Sequence, residues 1–214
     1  MISFGRSIDL FKAGGLNSKH VNSMMNTPFF AMFDMYNQGL MPLSKHRKSD
    51  LDLVRIIRCY NVETGTFVFG GKHVRLSPTW VTKIFGIPCM GERIDISGNH
   101  PVETGLINKG IINRGQLQKT QIEREIVSRL KSDCNEEVDR VTQLMCILLC
   151  NSIFFPNTGT AIPWFLAKLM SSIEKMVKYN WALAIYEWLM ESIIAKVSRP
   201  STVTGCVPLL MVIT

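Results

Sequence analysis

The chain has 214 residues, of which 46% are hydrophobic and 19% are charged. This composition excludes an intrinsically disordered protein and fits one domain of ordinary size. The formal net charge is +7, and residues 1–76 hold ten lysines and arginines against five acidic residues, so a basic surface in the N-terminal third is expected.

The cysteine spacing indicates the cellular compartment, and the apolar runs indicate whether a segment could cross a membrane. The six cysteines include no Cys-x-x-Cys pair and the chain starts without a signal peptide, so we expect reduced thiols in the nucleus or the cytoplasm. The longest apolar stretch, residues 144–156, is interrupted by Asn151 and Ser152. It falls short of the ~20 residues of a transmembrane helix. We therefore predict a buried helix there and no membrane contact.

The N-terminal residues show no sustained period. Residues 1–26 include Gly5, Gly14 and Gly15 among polar residues, which predicts a poorly ordered arm. Residues 27–214 are predicted to form a single helical domain. It begins with a short aromatic-rich helix near residues 27–41 and continues into a basic loop.

A strand, a tight turn and a return strand follow. Phe67 and Phe69 alternate with their neighbours in the period of a half-buried strand, so both are assigned to the core. Gly70 and Gly71 are suited to the positive φ angles of a two-residue hairpin turn. We predict strands over residues 66–69 and 72–76.

The next segment has the start and stop signals of a helix. Ser77 is a good N-cap and is followed by a proline, which is favoured at the first helical position. Gly86 predicts the end of the helix. Trp80 and Phe85 lie on its apolar face and are predicted to be core residues.

From Thr120 onward the pattern is almost entirely helical. Thr120 and Glu123 match a capping box, and a central helix is predicted over residues 136–155. Asn180 is expected to cap a helix over residues 181–197. The fold class predicted is therefore mainly α, with one small β-hairpin near the N-terminal third. Three further aromatic residues are assigned to the core: Phe155, Trp181 and Trp188.

Two segments together resemble the plant mobile domain, a family also labelled aminotransferase-like. Residues 61–96 are similar to its strand, Gly turn, strand and capped helix, and residues 144–213 to its later helices. The matching residues of the second segment are Phe155, Pro156, Tyr179, Asn180, Trp181, Gly205 and Cys206.

The resemblance implies a helical module without catalysis in a transposon-derived or domesticated nuclear protein. It also implies truncation, because relatives continue where residues 205–214 stop. The apolar residues of this terminal segment would then lack a cover, and the chain would self-associate through it.

Catalytic chemistry is not supported by any motif. A pyridoxal-phosphate enzyme needs a Schiff-base lysine within a large α/β fold, and no lysine here has that context. Cys146 and Cys150 are close enough on one helix to share a metal ion, but their neighbours are apolar, which favours buried cysteines acting as small hydrophobic residues. We predict no aminotransferase or other enzyme activity, no catalytic or metal-binding residue and no cofactor.

Two function classes remain. The first is a non-catalytic interaction module that binds a protein partner in the nucleus, or alternatively in the cytoplasm. The second is a nucleic-acid-binding module that uses the basic N-terminal third, with Lys45, Arg47 and Lys48 as the contact residues.

Overall fold

The computed structural model describes residues 2–41, 50–96, 117–156, 161–198 and 204–213. The basic residues Lys45, Arg47 and Lys48 lie outside these ranges. The described residues form three strands and eleven helices, which confirms a mainly α fold with a small sheet. The helices are α1 (Ile2–Gly14), α2 (Ser18–Met25), α3 (Phe30–Asn37), α4 (Asp50–Arg58), α5 (Pro78–Phe85), α6 (Lys119–Arg129), α7 (Asn135–Ile153), α8 (Trp164–Leu169), α9 (Ile173–Met176), α10 (Trp181–Lys196) and α11 (Val207–Leu210).

The sheet contains the predicted hairpin and one further strand. Its antiparallel order is β1 (Tyr60–Asn61), β2 (Thr66–Phe69) and β3 (Lys72–Val74). Gly70 and Gly71 have φ angles of +53° and +80°, as a two-residue turn between twisted strands requires. The return strand ends at Val74, two residues earlier than predicted.

Helix α7 is the centre of the fold. It packs against α1, α2, α6 and α8, and every residue from Leu144 to Cys150 is buried. A helix that is apolar all round must be enclosed by other elements. The sequence predicts this arrangement from the apolar run alone.

An aromatic cluster extends the core from the end of α7 to α10. The ring of Trp181 lies 5.0 Å from that of Phe29 and 6.4 Å from that of Phe155. Of the aromatic residues assigned to the core, Phe67, Phe85, Phe155 and Trp181 are buried. The others are half-buried and pack against it: Phe69, Trp80 and Trp188.

Residues 2–25 form the helices α1 and α2 with a short turn between them, in contrast to the predicted poorly ordered arm. Phe4, Ile8 and Phe11 of α1 are fully buried, and α1 packs against α3, α6 and α7. Their spacing of four and three residues is that of one helix face. Packing of this face outweighs the low helix propensity of Gly5, so the expectation for residues 1–26 is corrected.

The terminal apolar segment is covered by the protein itself. Cys206, Leu209 and Leu210 are fully buried, and α11 packs against α5. Val212 remains 49% exposed. The predicted uncovered patch is therefore absent from the described residues 204–213, and self-association through it loses its basis.

None of the described helices has both the length and the apolar composition needed to cross a membrane.

Candidate functional site

A cleft of about 400 Å³ opens between α10 and the chain segment that follows α5. Both the volume and the mixed lining, with polar and apolar side chains, are within the range of ligand sites. Its lining residues are Arg93, Ile94, Asp95, Ile96, Glu187 and Glu191.

One junction positions both walls of the cleft. The backbone N–H of Glu92 donates to the carbonyl oxygen of Lys178 at 2.8 Å, and the N–H of Asn180 donates to the carbonyl oxygen of Glu92 at 2.7 Å. Asn180 also caps α10, because its side-chain oxygen accepts from the N–H of Leu183 at 3.0 Å. The segment 92–96 is thus tied to the start of the helix that forms the opposite wall.

Charged side chains surround the mouth of the cleft. Arg93 and Glu187 form an ion pair at 2.9 Å, in which the arginine side chain is 75% exposed and the glutamate 21%. Glu191 lies one helical turn after Glu187 and makes no ion pair with the described residues. With Asp95, the lining carries three carboxylates and one guanidinium, a net charge of −2 in a chain of +7.

Two isoleucines supply the apolar part of the lining. Ile94 is buried and belongs to the core, and Ile96 is half-buried against it. The cleft therefore combines an apolar wall with an acidic rim, which suits a side chain that has an apolar stem and a cationic end.

A tyrosine next to Glu187 links the cleft to the sheet. Burial raises the pKa of the Tyr186 phenol, and Tyr60 and Glu187 raise it further, whereas Arg75 lowers it. The phenol therefore stays protonated at neutral pH.

The thiols of the two cysteines on α7 are not accessible from the surface. Cys146 and Cys150 are fully buried, and burial raises the pKa of the Cys146 thiol to about 12. A buried, protonated thiol is neither a nucleophile nor a metal ligand. Across the described ranges, no group of three or more His, Cys, Asp and Glu side chains is placed to hold a metal ion.

A hydroxyl–imidazole chain on the hairpin is the other polar arrangement of note. The Thr66 hydroxyl lies 2.7 Å from the Thr64 hydroxyl and 3.0 Å from His73 Nδ1. Within the described part of the chain, no carboxylate is bonded to the His73 ring to orient it as a base. Since Thr66 is buried and His73 lies on the neighbouring strand, this chain of bonds stabilises the hairpin.

The chain belongs to the family described as Domain of unknown function (DUF8566), whose model matches residues 34–211. Comparison with curated proteins and with solved structures gives no match. The family match overturns the resemblance to the plant mobile domain. The similarity of residues 61–96 is local, because a Gly turn and a Ser-Pro helix start are solutions that many folds share. The transposon origin and nuclear location implied by the resemblance lose their support.

The sequence does not reveal the cleft as a site. Its walls come from residues 93–96 and 187–191, which are far apart in the chain. One local signal was present: Glu187 and Glu191 are like charges at i,i+4, a spacing that destabilises a helix unless a partner compensates.

Proposed function

We propose that this protein is a non-catalytic interaction module whose cleft between residues 93–96 and α10 receives a basic segment of a protein partner. The observation that carries the proposal is the charge contrast. The cleft has a net charge of −2 on a chain with a formal charge of +7. Charge complementarity of this kind steers association and selects partners.

Arginine fits the lining better than lysine. Its methylene stem can lie along Ile94 and Ile96, and its planar guanidinium can donate two parallel hydrogen bonds to a carboxylate at Glu187 or Glu191. A lysine would reach the same carboxylates as a point charge without the bidentate geometry. We therefore expect arginine-rich segments to bind more tightly than lysine-rich ones of equal length.

The internal ion pair leaves room for such a partner. Arg93 is 75% exposed in its pair with Glu187, and an exposed pair contributes only about 0–1 kcal/mol. An incoming guanidinium can therefore share Glu187 or displace Arg93 at little cost, while Glu191, which has no ion pair to the described residues, supplies a second acceptor.

The test is a titration with labelled peptides. An arginine-rich peptide should bind more tightly than a lysine-rich peptide of the same length, and a glutamate-rich peptide should not bind. Binding should weaken as salt is added, because the contacts are exposed charges. Equal affinity for the acidic and basic peptides would contradict the proposal.

The same titration addresses the alternative function. Nucleic-acid binding through Lys45, Arg47 and Lys48 predicts tight, strongly salt-dependent binding of a single-stranded oligonucleotide. Oligonucleotide binding without peptide binding would favour that alternative over the cleft.

A further inference from the structure

A buried histidine lies where α2 meets α7. His20 is fully buried and shares a helix face with Ser23 and Met24. Both of these residues contact α7: the Ser23 hydroxyl donates to Asp139 Oδ1 at 2.8 Å, and Met24 Sδ lies 3.8 Å from Cys146 Sγ. The imidazole is thus enclosed in the interface between the two helices.

Only one nitrogen of the ring is satisfied. His20 Nδ1 lies 3.4 Å from the backbone N–H of Asn17 and 3.0 Å from Asn17 Oδ1, completing a capping box at the start of α2. Nε2 is buried and has no hydrogen-bond partner among the residues that the structure describes, and the same holds for Thr142 Oγ1 on α7. A neutral ring already leaves one polar atom unpaired at this interface.

We propose that His20 makes the α2–α7 interface a pH-sensitive element, in which protonation of the ring releases α2 from α7. The imidazolium has an N–H on both nitrogens. The N–H on Nδ1 can donate to Asn17 Oδ1, 3.0 Å away, whereas the N–H on Nε2 has no acceptor among the described residues. Protonation would therefore bury a charged ring with an unpaired donor, which is costly.

The charged groups near the ring do not offset this cost. Burial lowers the pKa of His20 from its usual 6.5, the attraction of Asp133 opposes the shift, and Lys19 adds to it. Asp133 is itself paired with Lys19 at 2.6 Å, and on α7 Asp139 accepts from Ser23.

The remaining charges on the helices packed against α2 are bound elsewhere. Glu136 and Glu137 are paired with Arg140 on α7 itself. On α3, Asp34 accepts from Gln38 at 2.6 Å.

The sign of the pH effect follows from the lowered pKa. The unfolded chain takes up the proton near 6.5, whereas the folded chain resists it to a lower pH. The contribution of His20 to stability is therefore complete above 6.5 and is lost as the pH falls from 6.5 toward the folded-state pKa. Local opening of α2 is the expected route, because a short helix opens before the core does.

Amide hydrogen exchange on the whole protein tests the proposal. After correction for intrinsic rates, residues 17–27 should lose about tenfold or more of their protection between about pH 7.5 and pH 5, whereas residues 181–190 should change little. The His20→Gln variant, neutral throughout, should lose this pH dependence, and the control His73→Gln should retain it. Equal protection of residues 17–27 in the unmodified protein at both pH values would overturn the proposal even if His20→Gln failed to fold. A variant with unchanged pH dependence would also overturn it.

Discussion

Gly91 lies at a contact that no other residue fits. Its φ angle is +109°, and a Cβ built there would lie 2.3 Å from the carbonyl oxygen of Lys178. That carbonyl oxygen accepts from the N–H of Glu92, so it cannot move away without breaking the junction that positions both walls of the cleft. The close approach of two backbones therefore requires glycine.

We predict that Gly91→Ala lowers the free energy of unfolding by more than about 2 kcal/mol, because it combines backbone strain with a backbone clash. Gly39→Ala is the matched control, since Gly39 has a φ of +70° with no atom within 4 Å of an added Cβ. It should cost only about 1 kcal/mol. Chemical denaturation of both variants is the measurement, and equal losses would show that the Lys178 contact is not tight.

Trp181 is a fully buried member of the aromatic cluster. It is 1% exposed, and its indole N–H donates to the Met176 carbonyl oxygen at 2.8 Å. Trp181→Ala should cost about 3–5 kcal/mol, as expected for a large aromatic residue removed from a core. The half-buried Trp80 is the comparison, and Trp80→Ala should cost clearly less. A loss below about 1 kcal/mol for Trp181→Ala in urea unfolding would contradict the packing described here.

Sequence patterns predict the role of a residue well when its conformation depends only on its neighbours in sequence. Asn180 caps α10 as expected, and Gly86 ends α5 with a φ of +72°. The Thr120–Glu123 capping box does not form, because α6 already begins at Lys119. Glu123 instead pairs with Lys119 at 3.4 Å and accepts a hydrogen bond from the Ser7 hydroxyl on α1. That outcome depends on a residue more than a hundred positions away, so the local pattern could not show it.

At the scale of elements, ion pairs connect α6 to α7. Arg129 donates to Glu137 at 2.6 Å and to Glu125 at 3.2 Å, and Glu137 also accepts from Arg140 at 2.7 Å. These side chains are about one quarter exposed or less. Glu136, which also pairs with Arg140, is more exposed and lies at the edge of the network. Arg129, Glu137 and Arg140 each have two partners, and such a network stabilises more than an isolated surface pair.

Arg129→Ala should therefore lower the free energy of unfolding by about 1–2 kcal/mol, because it leaves Glu125 and Glu137 without their shared partner. The control is Arg124→Ala on the same helix, an exposed arginine without an ion pair to the described residues, which should change stability by less than about 0.5 kcal/mol. Thermal unfolding at low and high salt provides the comparison. If the two variants behave alike at low salt, the network does not stabilise the α6–α7 contact.

The elements that the sequence predicts best are those with a strong local period. The β2–β3 hairpin and α7 follow from the alternation before Gly70 and from the apolar run after Leu144. Strand β1 is missed because its two residues form a strand only by pairing with β2. Helix α1 is missed because its glycines conceal an i,i+4,i+7 face, and only packing against α6 and α7 makes that face decisive.

At the scale of the whole molecule, the fold places an acidic cleft on a basic protein. The walls of the cleft meet because the segment after Gly91 pairs with the start of α10. No composition or motif of either segment predicts this contact, which explains why the sequence points to an interaction module without identifying its surface.

The measurement that tests this function most directly is the affinity for an arginine-rich peptide when the cleft carboxylates are neutralised one at a time. Glu187→Gln and Glu191→Gln should each weaken binding about threefold, or about 0.7 kcal/mol, as for a partly exposed charge pair. Glu191→Gln should do so without loss of stability, because it removes like-charge repulsion on α10. The control is Asp9→Asn, an exposed carboxylate on α1 without an ion pair to the described residues, and it should leave affinity unchanged. If all three variants bind the peptide as tightly as the unmodified chain, the cleft is not the binding site.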